Sequence, residues 1–391
     1  MVAATPAFPR WAGRLAARIG RPLAATGIVL ALAAPHAATP VALLSVAAPG
    51  SIPTDCSVDV TADLQSWLAT VPDGSTVSFP PGACYRIDQT FVVAVRNDLT
   101  FEGNGATFRA VTDGTEQPVP RTRAHWRLNY SNDITIRDVN VDGPNTLGAG
   151  NPNLEAQHGF EIDGSVGVTL DGVSAVETYG DSVAIGPSSG TRTNPLPFRA
   201  SADVLVQNSN FQRAGRQGIS VTAGSGVTLA HNVVAGAIRS AIDLEPTGVT
   251  SVVENVLIDS NTLSGYKNYM VAGGGACAPF HDITITGNTA TGPGARMGNN
   301  CAGRQNLLIQ SNTVTIPAGG LGNAFVLAVK FSGVTVAQNH VIFNKAVPGV
   351  VFQGATGALT VQDNQFCGAS QVYKADAQTG DVDEQNNDVN C

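Results

Sequence analysis

Two phrases near the middle of the chain carry residue types that could move protons. GRQGIS (residues 215–220) is followed by AIDLEP (residues 241–246), with their isoleucines 23 residues apart. Together they supply Arg216, Gln217, Asp243 and Glu245. One residue separates Asp243 from Glu245, so on a strand the two would share a face, about 7 Å apart at the backbone. Paired carboxyl groups at that range are what glycoside hydrolysis needs. One protonates the leaving oxygen, and the other activates water or attacks the sugar carbon. Clustered acids reach opposite protonation states at one pH because each disfavours the charge of its neighbour. Arg216 suits the orientation of one of these acids, or bidentate capture of a substrate carboxylate. The assignment is therefore Asp243 and Glu245 as the acid/base pair, assisted by Asp181. Arg213, Arg216, Gln217, Lys267 and Tyr269 would grip the sugar, and His158 and Glu161 would line the same face.

Those residues need a scaffold that brings them together, and the sequence repeats itself in a way that supplies one. VTLAHN, VLIDSN, ITITGN, LLIQSN, VTVAQN and LTVQDN each alternate apolar and polar residues and close on an asparagine. The asparagines are Asn232, Asn261, Asn288, Asn312, Asn339 and Asn364, spaced by 29, 27, 24, 27 and 25 residues. Alternation at period two marks a strand, and recurrence every 20 to 50 residues marks a solenoid. A coil cannot bury its own apolar side, so coils stack and share one core. The asparagine amide can bond backbone at a turn, adopt the left-handed conformation and meet the amide of the next coil.

A second strand column holds the candidate site. HGFEID, DSVAIG, QGISVT, SAIDLE and NYMVAG begin at His158, Asp181, Gln217, Ser240 and Asn268. In each, the third and fifth positions are mostly apolar and should point inward: Phe160 and Ile162, Val183 and Ile185, Ile219 and Val221, and Ile242 and Leu244. The residues between them, Glu161, Ser220 and Asp243 among them, should face solvent. Coils stack about 4.8 Å apart, which puts Asp181 within about 10 Å of Asp243.

The repeats resemble the right-handed parallel β-helix superfamily, the fold of pectate lyases, polygalacturonases and phage tailspikes. The resemblance reaches back to about Asp98 through LTFEGN, ITIRDV and VTLDGV, and covers about two thirds of the chain. The phrase VSFPPGACYRID is similar to the opening of many secreted and phage-borne β-helix proteins. The glycosidase pattern of paired aspartates with a following Gly-His-Gly and Arg-Ile-Lys is missing, as is the acidic and basic pattern of the classical pectate lyases. The resemblance thus implies an all-β, single-stranded right-handed parallel β-helix and leaves the chemistry to the residues themselves. The expected layout is a leader over residues 1–50, an N-terminal cap over 51–78, the β-helix over 79–366 and a C-terminal cap over 367–391. One short helix, TADLQSWL, with Leu64, Trp67 and Leu68 on one face, should cover the first coil, since bare strand edges pair with other chains. Proline- and glycine-rich segments at residues 112–123, 143–155, 186–198 and 273–279 read as loops that would wall a groove.

The first 50 residues have an export layout. Arg10, Arg14, Arg18 and Arg21 precede an apolar run, and no acid occurs before Asp55. Cleavage is expected near Ala38 or Ala48, and a retained anchor would be the only membrane contact. Six cysteines follow, an even count that suits disulfides in an exported chain. Sequential pairing, Cys56–Cys84, Cys277–Cys301 and Cys367–Cys391, lets each bridge close a loop or an end.

Without the leader, 18 basic residues stand against 30 acidic ones, a formal charge of −12. That surface lacks the basic footprint of nucleic-acid binding. No G-x-x-x-x-G-K-[ST] phosphate loop occurs, so nucleotides are not expected either. No cofactor is assigned. Calcium stays open on Asp181, Asp243 and Glu245, since oxygen ligands suit it. The expected partner is a polysaccharide, and the chain is read as a secreted or cell-surface monomer. Because acids outnumber cations on the candidate face, glycan hydrolysis is favoured. The alternatives are a polysaccharide lyase acting beside a uronate carboxylate and a non-catalytic glycan-binding or adhesive protein.

Overall fold

A computed structural model of the chain describes residues 44–112, 123–190, 193–318 and 324–391. The expected leader, apart from its last residues, and most of the 112–123 segment lie outside the described residues. The chain winds as a right-handed parallel β-helix whose strands pair almost throughout in parallel with the coil above and below. One wall is a parallel sheet of 11 strands running from Phe91–Ala94 to Gln371–Ala375. The remaining walls form a second sheet that turns corners through residues with positive φ. Leu44–Ala47 already pairs in parallel with Ser75–Ser78, and Ala48 is buried. Cleavage near Ala38 would leave this first strand in place, whereas cleavage at Ala48 would remove it.

The asparagine column explains how the corner is held. Each backbone N–H donates to the side-chain oxygen of the next asparagine, from Asn232 to Asn261, Asn288, Asn312, Asn339 and Asn364, at 2.9–3.0 Å. Each Nδ2 also donates to a core-strand carbonyl one coil back, as Asn288 does to the Ile258 oxygen. A buried amide therefore satisfies the backbone groups that the turn leaves over. The left-handed residue is the one before the asparagine: His231, Ser260, Gly287, Ser311, Gln338 and Asp363. The ladder also has a further rung, Asn387, whose Oδ1 accepts from the Asn364 N–H.

Inside, Phe160, Ile162, Val183, Ile185, Ile219, Val221, Ile242 and Leu244 are all fully buried, as their alternation predicts. The fifth strand runs in a different frame. Ile242 aligns with Val271 and Asp243 with Ala272, so in NYMVAG it is Val271 and Gly273 that take the inward places. The helix Thr61–Leu68 buries Leu64, Trp67 and Leu68 over the first coil. All three sequential disulfides form, with Cα–Cα distances of 4.7–5.2 Å, which are coil-to-coil distances. Residues 186–198, read as a loop, contain an antiparallel hairpin of Ser188–Gly190 and Pro195–Arg199. Their proline and glycine content conceals the pairing from periodicity alone.

Candidate functional site

The 11-stranded sheet sets its outward side chains in straight columns. One column runs Arg127, Glu161, Ala184, Ser220, Asp243, Ala272 and Arg296, each a parallel partner of the next. Beside it, at the turn entering each strand, lie His158, Asp181, Gln217, Ser240 and Tyr269, two residues before the first inward position.

Asp181 has no solvent exposure. Its Oδ1 accepts the Gln217 backbone N–H at 2.8 Å, and its Oδ2 accepts from Arg216 Nη1 at 2.7 Å and Ser220 Oγ at 2.6 Å. His158 Nδ1 accepts the Asp181 backbone N–H at 3.0 Å. Gln217 links two coils: its Oε1 accepts the Ser240 N–H, and its Nε2 donates to Asp243 Oδ2. Arg216 then reaches across to Glu245, with Nη2 3.2 Å from Oε2. The structure thus gathers His158, Asp181, Arg216, Gln217, Ser220, Asp243 and Glu245 into one connected group.

Asp243 is only 8% exposed, not open to solvent as alternation suggests. Burial first, then the charges of Glu245 and Asp181, push its carboxyl up to about 7, against the pull of Arg216 and Arg239. For Arg216, burial acts to lower the pKa, but Asp181 and Glu245 outweigh it and hold the guanidinium above its ordinary value. Glu245 keeps 41% of its side chain in solvent. The group therefore presents a protonatable carboxyl beside an exposed carboxylate.

Other candidates lie apart from this group. Glu161 pairs with Arg127 at 2.5 Å, three coils from Asp243, and sits beside Asp163. Burial and the Glu161 charge hold Asp163 well above the usual carboxylate range. Arg213 pairs with Glu177 at a half-exposed turn and does not reach the group. Lys267 is exposed and Tyr269 half-buried, both on the coil below Asp243, and neither side chain forms a hydrogen bond or ion pair with the group. The calcium arrangement is not formed: Asp181 and Glu245 close on Arg216 and Asp243 on Gln217. Among the described residues no cluster of three or more His, Cys, Asp or Glu is placed to hold a metal ion.

Two residues are supplied by positions that carry no periodic signal. Glu155, on the loop over residues 143–157, accepts from Arg239 Nη2 at 2.8 Å and lies 3.9 Å from Arg216. That loop walls the upstream edge of the face. The downstream edge is walled by the Cys277–Cys301 bridge, with Arg304 and Asn299 donating to the Gly274 and Gly275 carbonyls. Arg296 stands on the outward column two coils beyond Asp243, and the shifted frame of the Val271–Gly273 strand hides its alignment. The run GPSSG (residues 186–190) has the spacing of a serine nucleophile turn, but Ser188 lies in the hairpin and donates to Asn129 Oδ1, with no strand-to-helix frame.

No family model matches the chain. An endo-polygalacturonase of Sclerotinia sclerotiorum is 24% identical over 140 residues, which make up 34% of this chain and 35% of that protein. The match thus spans about a third of the curated relative's length. Among solved structures, the Streptococcus pneumoniae surface protein and adhesin PfbA superposes with a TM-score of 0.60 at 14% identity, covering 86% of this chain and 98% of that one. The A-module of a mannuronan C-5 epimerase from Azotobacter vinelandii gives a TM-score of 0.54 at 13% identity, covering 85% and 97%. These likenesses show a shared fold, one that both carbohydrate-acting enzymes and an adhesin use.

Proposed function

We propose that the protein is exported, binds a polysaccharide across the 11-stranded sheet, and hydrolyses it at Asp243 and Glu245. One observation carries this reading: a nearly buried carboxyl, raised to about 7, beside a carboxylate that keeps contact with solvent. A group titrating near neutrality is matched to general acid–base work. Asp243 would give its proton to the glycosidic oxygen as the C–O bond to the anomeric carbon breaks. Glu245 would take a proton from the water whose oxygen bonds to that carbon. Gln217 orients Asp243, Arg216 orients Glu245, and Asp181 positions Arg216 and the Gln217 backbone. Arg216 is committed to Asp181 and Glu245 rather than to a substrate carboxylate, and a pair of acids at this spacing suits hydrolysis. Export is supported by three disulfides and the arginine-led apolar N-terminus. Among the described residues no helix is long and apolar enough to cross a membrane.

A specific observation favours a second reading, a glycan-binding surface protein without turnover. Asp181, Arg216 and Ser220 satisfy one another inside the wall, as a structural ion-pair network would. The adhesin likeness also covers 86% of this chain and 98% of the adhesin. Product analysis on plant, algal and bacterial glycans separates the readings. New reducing ends without an unsaturated ultraviolet chromophore support hydrolysis, the chromophore means elimination, and binding without products means an adhesin. If Asp243→Asn cleaves as fast as the wild type, the site assignment fails.

A further inference from the structure

We propose that Arg296 is a specificity-determining residue that receives the acidic substituent, carboxylate or sulfate, of the sugar lying next to Asp243. The proposal rests on the reading that a glycan lies across this sheet. Arg296 is exposed and points outward in the column of Asp243, with Ala272 as the intervening rung. Two coil spacings, about 9.6 Å, separate the backbones of Asp243 and Arg296. The floor between them is Ala272 and Gly274, and a Cβ built at Gly274 would meet nothing within 4 Å. Among the described residues Arg296 makes no ion pair and no side-chain hydrogen bond, unlike Arg127, Arg213, Arg216 and Arg239. Among the described residues it is also the one charged side chain in its column between Asp243 and Lys374, the other rungs being Ala272, Leu327 and Val351.

This arrangement is electrically one-sided. At one end of the floor stand Asp243 and the half-exposed Glu245, and at the other an unpaired guanidinium. An acidic sugar placed there would be repelled from the Glu245 end and drawn to Arg296, whose planar fork matches carboxylate or sulfate oxygens. The chain carries a formal charge of −8, so an acidic polymer meets general repulsion and a local cation decides where it docks. The same contact fixes the sugar's direction along the floor, and with it the bond presented to Asp243.

The test measures equilibrium binding in an Asp243→Asn background, where turnover does not consume the probe. The probes are oligogalacturonate and its methyl ester, and a sulfated galactan oligosaccharide and its desulfated form. The expected result is that one acidic probe binds about tenfold or more tighter than its neutral partner. Arg296→Gln then removes that preference and leaves binding of the neutral form unchanged, while Arg296→Lys keeps part of it. Whichever pair shows the preference identifies carboxylate or sulfate as the group received. Equal binding of both members of each pair, a preference that survives Arg296→Gln, or binding of none of the four overturns the proposal. Its fate is separable from that of hydrolysis. Wild-type cleavage of a neutral glycan without acid preference keeps hydrolysis and sinks Arg296, whereas acid preference without cleavage does the reverse.

Discussion

The tuning of Asp243 can be tested without knowing the substrate, because a perturbed carboxyl makes stability depend on pH. In the unfolded chain Asp243 should titrate at its ordinary value of 3.8, and in the folded protein at about 7. Between those values the folded state binds one proton more than the unfolded state, so stability falls as pH rises. The contribution is fully present below 3.8 and lost as pH passes through about 7. The difference corresponds to about 4 kcal/mol in total, of which about 3 kcal/mol is lost between about pH 5 and pH 8. Asp243→Asn accepts the Gln217 hydrogen bond through its amide oxygen and cannot ionise, so this portion of the pH dependence should vanish. Any fixed cost of the substitution shifts its curve equally at every pH and does not affect the comparison. Urea unfolding of both proteins at about pH 5 and about pH 8 measures it. The wild type should lose about 3 kcal/mol relative to the variant over that range. Parallel curves would show that Asp243 is ionised in the folded protein throughout, and the assignment of a neutral acid would fall with them.

Two further outcomes follow from the buried network and the corner ladder. Arg216→Met should destabilise by about 3–5 kcal/mol, because Asp181 would lose its cationic partner while having no solvent contact. Adding Asp181→Asn to that variant should recover part of the loss in a double-mutant cycle read by urea unfolding. Asn288→Ala should cost about 1–3 kcal/mol, since the Asn261 N–H and the Ile258 carbonyl lose their buried partner. Hydrogen exchange should then show the Asn261 amide unprotected while the Asn339 amide, two coils away, keeps its protection.

The parts of the fold that were legible in the sequence are those where one physical demand repeats in every coil. Inward places must be apolar, so Val183, Ile219 and Ile242 show the strand frame directly. Each corner must pair its leftover amides, so the asparagines recur. The rung at Asn387 was missed because the acidic tail before it lacks the apolar alternation of the earlier phrases. Of the connected group, Asp181, Arg216, Gln217, Asp243 and Glu245 are legible because they sit on or beside the repeating strands. Glu155 is not, since it comes from a loop that has no phase to read. The frame of the Val271–Gly273 strand is hidden because Met270, buried just before Val271, and Ala272 are both apolar, so two frames fit the same phrase. That shift is also what kept Arg296 from being aligned with Asp243.

The burial of Asp243 shows why strand alternation alone could not describe the site. On an isolated pleated strand Asp243 would face solvent beside Glu245, and the two acids would differ little. In the folded chain Gln217 from the coil above covers one oxygen, while Arg216 and Arg239 lie against the Glu155 loop at the upstream edge. Glu245, two residues further along the strand, escapes this cover and keeps its solvent contact. The difference in exposure between the two carboxyls therefore comes from neighbouring coils and one non-repeating loop. A solenoid supplies identical outward places at every coil. A loop breaks that equivalence, and in the proposed site the break falls between the Ala184 and Ala272 rungs, whose small side chains flank Ser220 and Asp243 in the column.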